Sequence, residues 1–195
     1  MENDGGAGWS RLQRALHWWT ASLVVVVIAV GWWMMRLPDS DLLVKFLVFQ
    51  MHKTIGIGVL VCAGARLWLR IRHGRPALPI DMPLWQRCAA SAMHGLLYVL
   101  LVAVPVSGYL AAGAAAARVP TLLLGFIPLP SVIGANPYWF SVFSGLHWQL
   151  TIVLIMLAGG HTLAAFHDHL RGRPTLLALW RGSTFCDAAT ADGDE

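Results

Sequence analysis

Residues 138–170 read YWFSVFSGLHWQLTIVLIMLAGGHTLAAFHDHL, and no Asp, Glu, Lys or Arg occurs in them before Asp168. About 20 apolar residues suffice to cross a bilayer as a helix. This stretch is therefore read as a membrane span that overshoots the hydrocarbon, so one end protrudes or the helix tilts. Two ionisable rings lie in its interior, His147 and His161, and two more, His167 and His169, at its end. Fourteen residues are close to four helical turns, so the two interior rings leave the same face, roughly 21 Å apart along the axis. Leu154 lies midway, at the expected midplane.

The remainder of the chain has the same character. Of 195 residues, 57% are hydrophobic and only 12% charged, against about 25% charged in an ordinary soluble domain. No charge falls between Arg87 and Arg118, nor from Val119 to His167. A soluble enzyme, a disordered chain, a collagen and a small disulfide scaffold are excluded, and no nucleic-acid partner is expected. The sequence predicts an all-α integral membrane four-helix bundle, with spans over residues 16–35, 46–71, 88–112 and 138–170. Arg11 and Arg14 precede the first span, but no small-residue cleavage site follows it, so it is read as retained. Arg66 and Arg70 near the end of the second span can snorkel toward headgroups. Pro105 and Gly108 predict a kink in the third. Residues 119–137 are apolar but broken by Pro128, Pro130, Gly134 and Pro137, and are read as a loop at the membrane surface or over the bundle mouth. Most Trp residues fall near span ends, as an aromatic belt. Residues 1–181 form one transmembrane domain, 182–195 a disordered acidic tail, and no internal repeat is evident.

Orientation follows from the basic residues. Arg11, Arg14, Arg70, Arg72, Arg75, Arg87, Arg171, Arg173 and Arg181 fall on one side, and Arg36, Lys45, Lys53 and Arg118 on the other. The positive-inside rule places both termini in the cytoplasm.

Ionisable groups within spans are functional candidates by default. His52 enters the second span from the outer side, the level of His147. His17 begins the first span on the inner side, the level of His161. Two facing pairs, His52/His147 and His17/His161, suit two b-type haems with axial imidazoles. Two histidines per level with no Cys, Asp or Glu make a poor four-coordinate zinc site, whereas a porphyrin supplies four ligands of its own. The chain has no C-x-x-C-H motif, so covalent c-type attachment is excluded. Gly31, fourteen residues after His17, and Gly56, one turn from His52, would let a macrocycle approach the backbone. General helix packing is the plainer account of such glycines. His94 lies at the inner level as a ligand, a propionate partner or part of a proton path. His167 and His169, around Asp168, are read as interfacial, on the side of a quinone or of proton handling.

The stretches Arg11 to Trp18, Met51 to Gly56, His94 to Tyr98, Pro105 to Gly108, Gly125 to Pro130 and Leu146 to His169 together resemble the bacterial di-haem cytochrome b561 family. The resemblance covers Arg11 to about Arg181. It implies a multi-pass inner-membrane protein with two non-covalent haems b, and its axial ligands fall on His17, His52, His147 and His161. Some members act as superoxide oxidases that pass the electron to ubiquinone. That activity, a superoxide:ubiquinone oxidoreductase, is the expectation for this chain. Membrane lipid, ubiquinone, superoxide and a protein redox partner are its expected associates, with His94 and His169 as candidate quinone or propionate contacts. Lys53 and Arg118 are expected to steer an anionic donor toward the outer haem, and membrane anchoring explains the same cations equally well. Two other classes remain open: a cytochrome b anchor subunit of a larger dehydrogenase such as a hydrogenase, and a metal-ion transporter, which would be colourless.

Overall fold

The computed structural model describes residues 10–73, 83–117, 119–172 and 180. Four helices carry it: α1 (Arg11–Met34), α2 (Leu42–His73), α3 (Leu84–Ala114) and α4 (Pro137–Leu170). All four are long and apolar enough to cross a membrane. They begin at or shortly before the expected spans, and side-chain caps fix the starts of α1 and α4. Ser10 closes a capping box with Gln13, accepting from its backbone N–H at 3.2 Å while the Gln13 side chain accepts from Ser10 N–H at 3.0 Å. The carboxamide oxygen of Asn136 accepts from the N–H groups of Tyr138 and Trp139, and Pro137 occupies the first turn, where its missing N–H costs nothing. At 32 residues, α2 is about 48 Å long, well beyond the hydrocarbon. The helix α3 continues through Pro105 without ending. Between α1 and α2, the Lys45 ammonium donates to Asp39 and holds that carboxyl below its ordinary value.

The helices pack as two hairpins, α1 on α2 and α3 on α4, joined more lightly through α2 and α3. Val24, Val59, Ala63, Leu100, Leu101 and Leu154 form the buried cluster. Every helix contributes, and Leu154 is the buried residue of α4. The expected midplane residue is thus a member of the apolar plug between the two histidine levels. Large apolar side chains such as Val25, Val61, Val99, Met156 and Leu163 face outward. A water-soluble surface rarely exposes so continuous an apolar face, which suits helices long and apolar enough to cross a membrane.

The apolar stretch after α3 is not simply a loop. Within it, β1 (Thr121–Leu123) and β2 (Ile127–Leu129) form an antiparallel hairpin, with Thr121 opposite Leu129 and Leu123 opposite Ile127. Leu124 and Gly125 turn the chain with φ of 55° and 85°. Two side chains of α2 dock the hairpin. The Gln50 carboxamide donates to Pro120 C=O at 2.8 Å and accepts from Leu122 N–H at 3.0 Å. The Thr54 hydroxyl oxygen accepts from Leu124 N–H at 3.2 Å. Strands of three residues, one with a proline, are below what alternation in sequence can register. Their outer hydrogen bonds go to a helix rather than to further strands. The hydroxyl of Tyr109 on α3 donates to Pro130 C=O, and Asn136 N–H donates to Ala114 C=O, which returns the chain to α4. Arg118, the proline-rich residues 74–82 and the acidic tail 182–195 lie outside the described residues.

Candidate functional site

At the outer level the ring centres of His52 on α2 and His147 on α4 are 6.2 Å apart. Each ring is held in the same way. Nδ1 of His52 donates to the Val27 carbonyl of α1 at 3.1 Å, and Nδ1 of His147 to the Val104 carbonyl of α3 at 2.9 Å. A carbonyl only accepts, so the proton sits on Nδ1 and the lone pair on Nε2. One turn after each carbonyl stands a glycine. A Cβ on Gly31 would lie 2.9 Å from Cε1 of His52, and one on Gly108 would lie 2.9 Å from Cε1 of His147. Each imidazole is therefore pressed onto bare backbone of its partner helix and tied there through the nitrogen not needed for a metal, the usual support of a ligating histidine.

At the inner level the ring centres of His17 on α1 and His161 on α4 are 6.3 Å apart. His94 on α3 is 5.2 Å from His161, with its Nδ1 donating to Ala90 C=O of its own helix at 2.7 Å. Nδ1 of His17 accepts from the Arg66 guanidinium at 3.0 Å. Arg66 is accordingly turned to the bundle interior rather than to the headgroups that a position near a span end suggests.

Two imidazoles that bind one metal atom from opposite sides, each with its nitrogen about 2 Å from it, would have ring centres about 6.3 Å apart. Both levels have this separation. The donor set fits the same group: among the described residues no three His, Cys, Asp or Glu gather to hold a metal ion. Two facing rings without a third protein donor suit a metal whose other ligands come from a macrocycle.

The other expected site residues are dispersed. Beyond its own stretch of helix, no atom lies within 4 Å of where a Cβ on Gly56 would be. Lys53 is half-buried beside His52. Arg36 lies 4.0 Å over the Trp32 ring and Lys45 is engaged by Asp39, so Lys53 is the described outer cation not turned to a neighbouring side chain in this way. His167 and His169 are exposed at the end of α4, with His167 4.0 Å from Asp168.

Sequence reading missed Gly108 as a ring platform and Arg66 as an inner-level group. A signal for both was present. Gly108 is fourteen residues after His94, and Arg66 fourteen after His52, the interval that separates His17 from Gly31 and His147 from His161. Every helix thus carries one such residue at each level.

A family model for prokaryotic cytochrome b561 matches residues 8–182. The chain belongs to the prokaryotic cytochrome b561 family. It is 28% identical over 177 residues to cytochrome b561 homolog 2 of Escherichia coli K12, covering 90% of this chain and 92% of that protein. It is 29% identical over 174 residues to cytochrome b561 homolog 1 of the same organism, covering 87% and 95%. As a cytochrome b561 it is a multi-pass bacterial membrane protein, a b-type cytochrome of electron transfer, and its family binds haem b.

Proposed function

We propose that this cytochrome b561 holds two haems b, one between His52 and His147 and one between His17 and His161, and oxidises superoxide at the outer face while reducing ubiquinone. The observation that carries the reading is the outer pair: rings 6.2 Å apart, each Nδ1 tied to a backbone carbonyl and each Nε2 left free to ligate. Haem iron, when bound, supplies one-electron chemistry. The chain's own residues fix the rings, exclude water with the Val24–Leu154 cluster and set the charge around each level. In the net reaction two superoxide anions become two dioxygen molecules, and one ubiquinone takes up two electrons and two protons. His94, His167 and His169 gather titratable imidazoles toward the inner end, which supports proton uptake there. The distribution of arginines supports termini in the cytoplasm and an inner-membrane location. Superoxide as donor rests on the likeness to superoxide-oxidising members of the family.

Purified protein is expected to show a Soret band, a b-type reduced-minus-oxidised spectrum and two haems per chain, all removed by acid acetone. A colourless protein, a single haem or pigment left on the chain defeats the reading. Where the donor is superoxide, Lys53→Gln together with Arg118→Gln should slow haem reduction by pulsed superoxide several-fold at low salt. The difference should shrink as the Debye length falls from about 30 Å at 0.01 M to about 10 Å at 0.1 M. A rate indifferent to both salt and substitution argues for a donor other than a small anion.

A further inference from the structure

Four groups from three helices, His17, Arg66, Arg70 and Tyr98, meet around the inner level, and none of them is an acid. The guanidinium carbon of Arg66 lies 5.4 Å from the centre of the Tyr98 ring, and that of Arg70 lies 5.2 Å from the same ring. Two cations on α2 therefore share one tyrosine of α3. Among the described residues neither arginine is ion-paired with a carboxylate: the ion pairs there are Lys45 with Asp39 and His167 with Asp168. Both arginines are half-buried. Two like charges at this depth are unfavourable unless an anion joins them.

Arg66 also stands in a chemical conflict. Coordination of a metal by Nε2 of His17 leaves the proton on Nδ1, which then donates. A guanidinium donates at every position and accepts at none. The 3.0 Å contact between Arg66 Nη2 and His17 Nδ1 is therefore incompatible with His17 acting as an Nε2 ligand; on that ligation Arg66 keeps its contact with Tyr98 and has donors free for a further acceptor within reach of the same ring. Haem brings two carboxylates, and the guanidinium fork matches a carboxylate in geometry and charge.

We propose that Arg66, supported by Arg70 through Tyr98, binds a propionate carboxylate of the inner haem. The inference rests on the two-haem reading above. It places Arg66 in the cofactor-binding set, where position near a span end suggests only snorkelling.

The test uses the haem-loaded protein carrying haem labelled with ¹³C at its propionate carboxyls. In Arg66→Gln, the propionate bands of the inner haem should shift in the reduced-minus-oxidised infrared spectrum, while those of the outer haem stay in place. Transfer of the inner haem to excess apomyoglobin should quicken by roughly tenfold or more, the scale of losing one hydrogen bond to a charged group. The outer haem serves as an internal check on folding. If Arg66→Gln does not accumulate, Arg66→Lys replaces it, and the band must still move because the paired fork is gone. Two haems with unmoved inner propionate bands in the variant overturn the proposal and leave Arg66 an anchoring cation. A parent protein without two haems overturns the reading beneath it instead.

Discussion

His147→Ala is expected to yield a protein with one haem in place of two, the remaining one having the potential and spectrum of the inner site. His161→Ala should give the converse. The two levels are roughly 21 Å apart along α4, and the buried cluster around Leu154 separates them, so loss at one level leaves the other standing. His94→Ala should retain both haems: its ring is 5.2 Å from His161, whereas His17 stands at 6.3 Å, the separation of two rings that bind one metal atom from opposite sides. Haem quantitation with a potentiometric titration of each variant checks this, one wave surviving in the first two variants and two in the third. If His94→Ala removes the inner haem while His17→Ala keeps it, the inner ligand assignment is wrong.

Removal of empty space should act almost as strongly as removal of a ligand. A methyl group on Gly108 would stand 2.9 Å from Cε1 and 3.0 Å from Nδ1 of His147, and one on Gly31 would stand 2.9 Å from Cε1 of His52. These are closer than van der Waals contact permits, and the ring cannot retreat without leaving its carbonyl at Val104 or Val27. Overpacking of this kind costs about 1–3 kcal/mol, or about fivefold to 150-fold in affinity. Gly108→Ala and Gly31→Ala should therefore each lower outer-haem occupancy and change its low-spin EPR signal, with the inner haem unaffected. Gly58→Ala is the control, since its added Cβ would meet only Leu23 at an ordinary 3.8 Å. An outer haem fully occupied and spectrally unchanged in Gly108→Ala would show that the ring is not pressed on the backbone as described.

The sequence exposed those parts of the molecule that depend on one helix at a time. Long apolar runs mark the four spans, three of them free of charge in their interior, because the bilayer core penalises charge. The interval between His147 and His161 is legible because both lie on one helix face. What stayed hidden depends on two elements meeting. Gly108 three residues after Pro105 reads as part of a kink, and only its approach to His147 makes it a platform. Arg66 near the end of a span reads as a headgroup anchor, and only the position of α1 brings His17 to it. The hairpin at 121–129 is invisible because its strands are completed by Gln50 and Thr54 from a distant helix.

The division into two hairpins has a consequence for the cell. Each histidine pair takes one ring from α1 or α2 and the other from α4, and the hairpins are otherwise joined lightly. On the proposed ligation, each iron atom is a cross-link between two half-proteins. A ligand that binds only the assembled state stabilises it by mass action, and unassembled membrane helices are removed by proteolysis. The abundance of this cytochrome should therefore track the supply of haem, falling under haem starvation even while its message and its translation are undiminished.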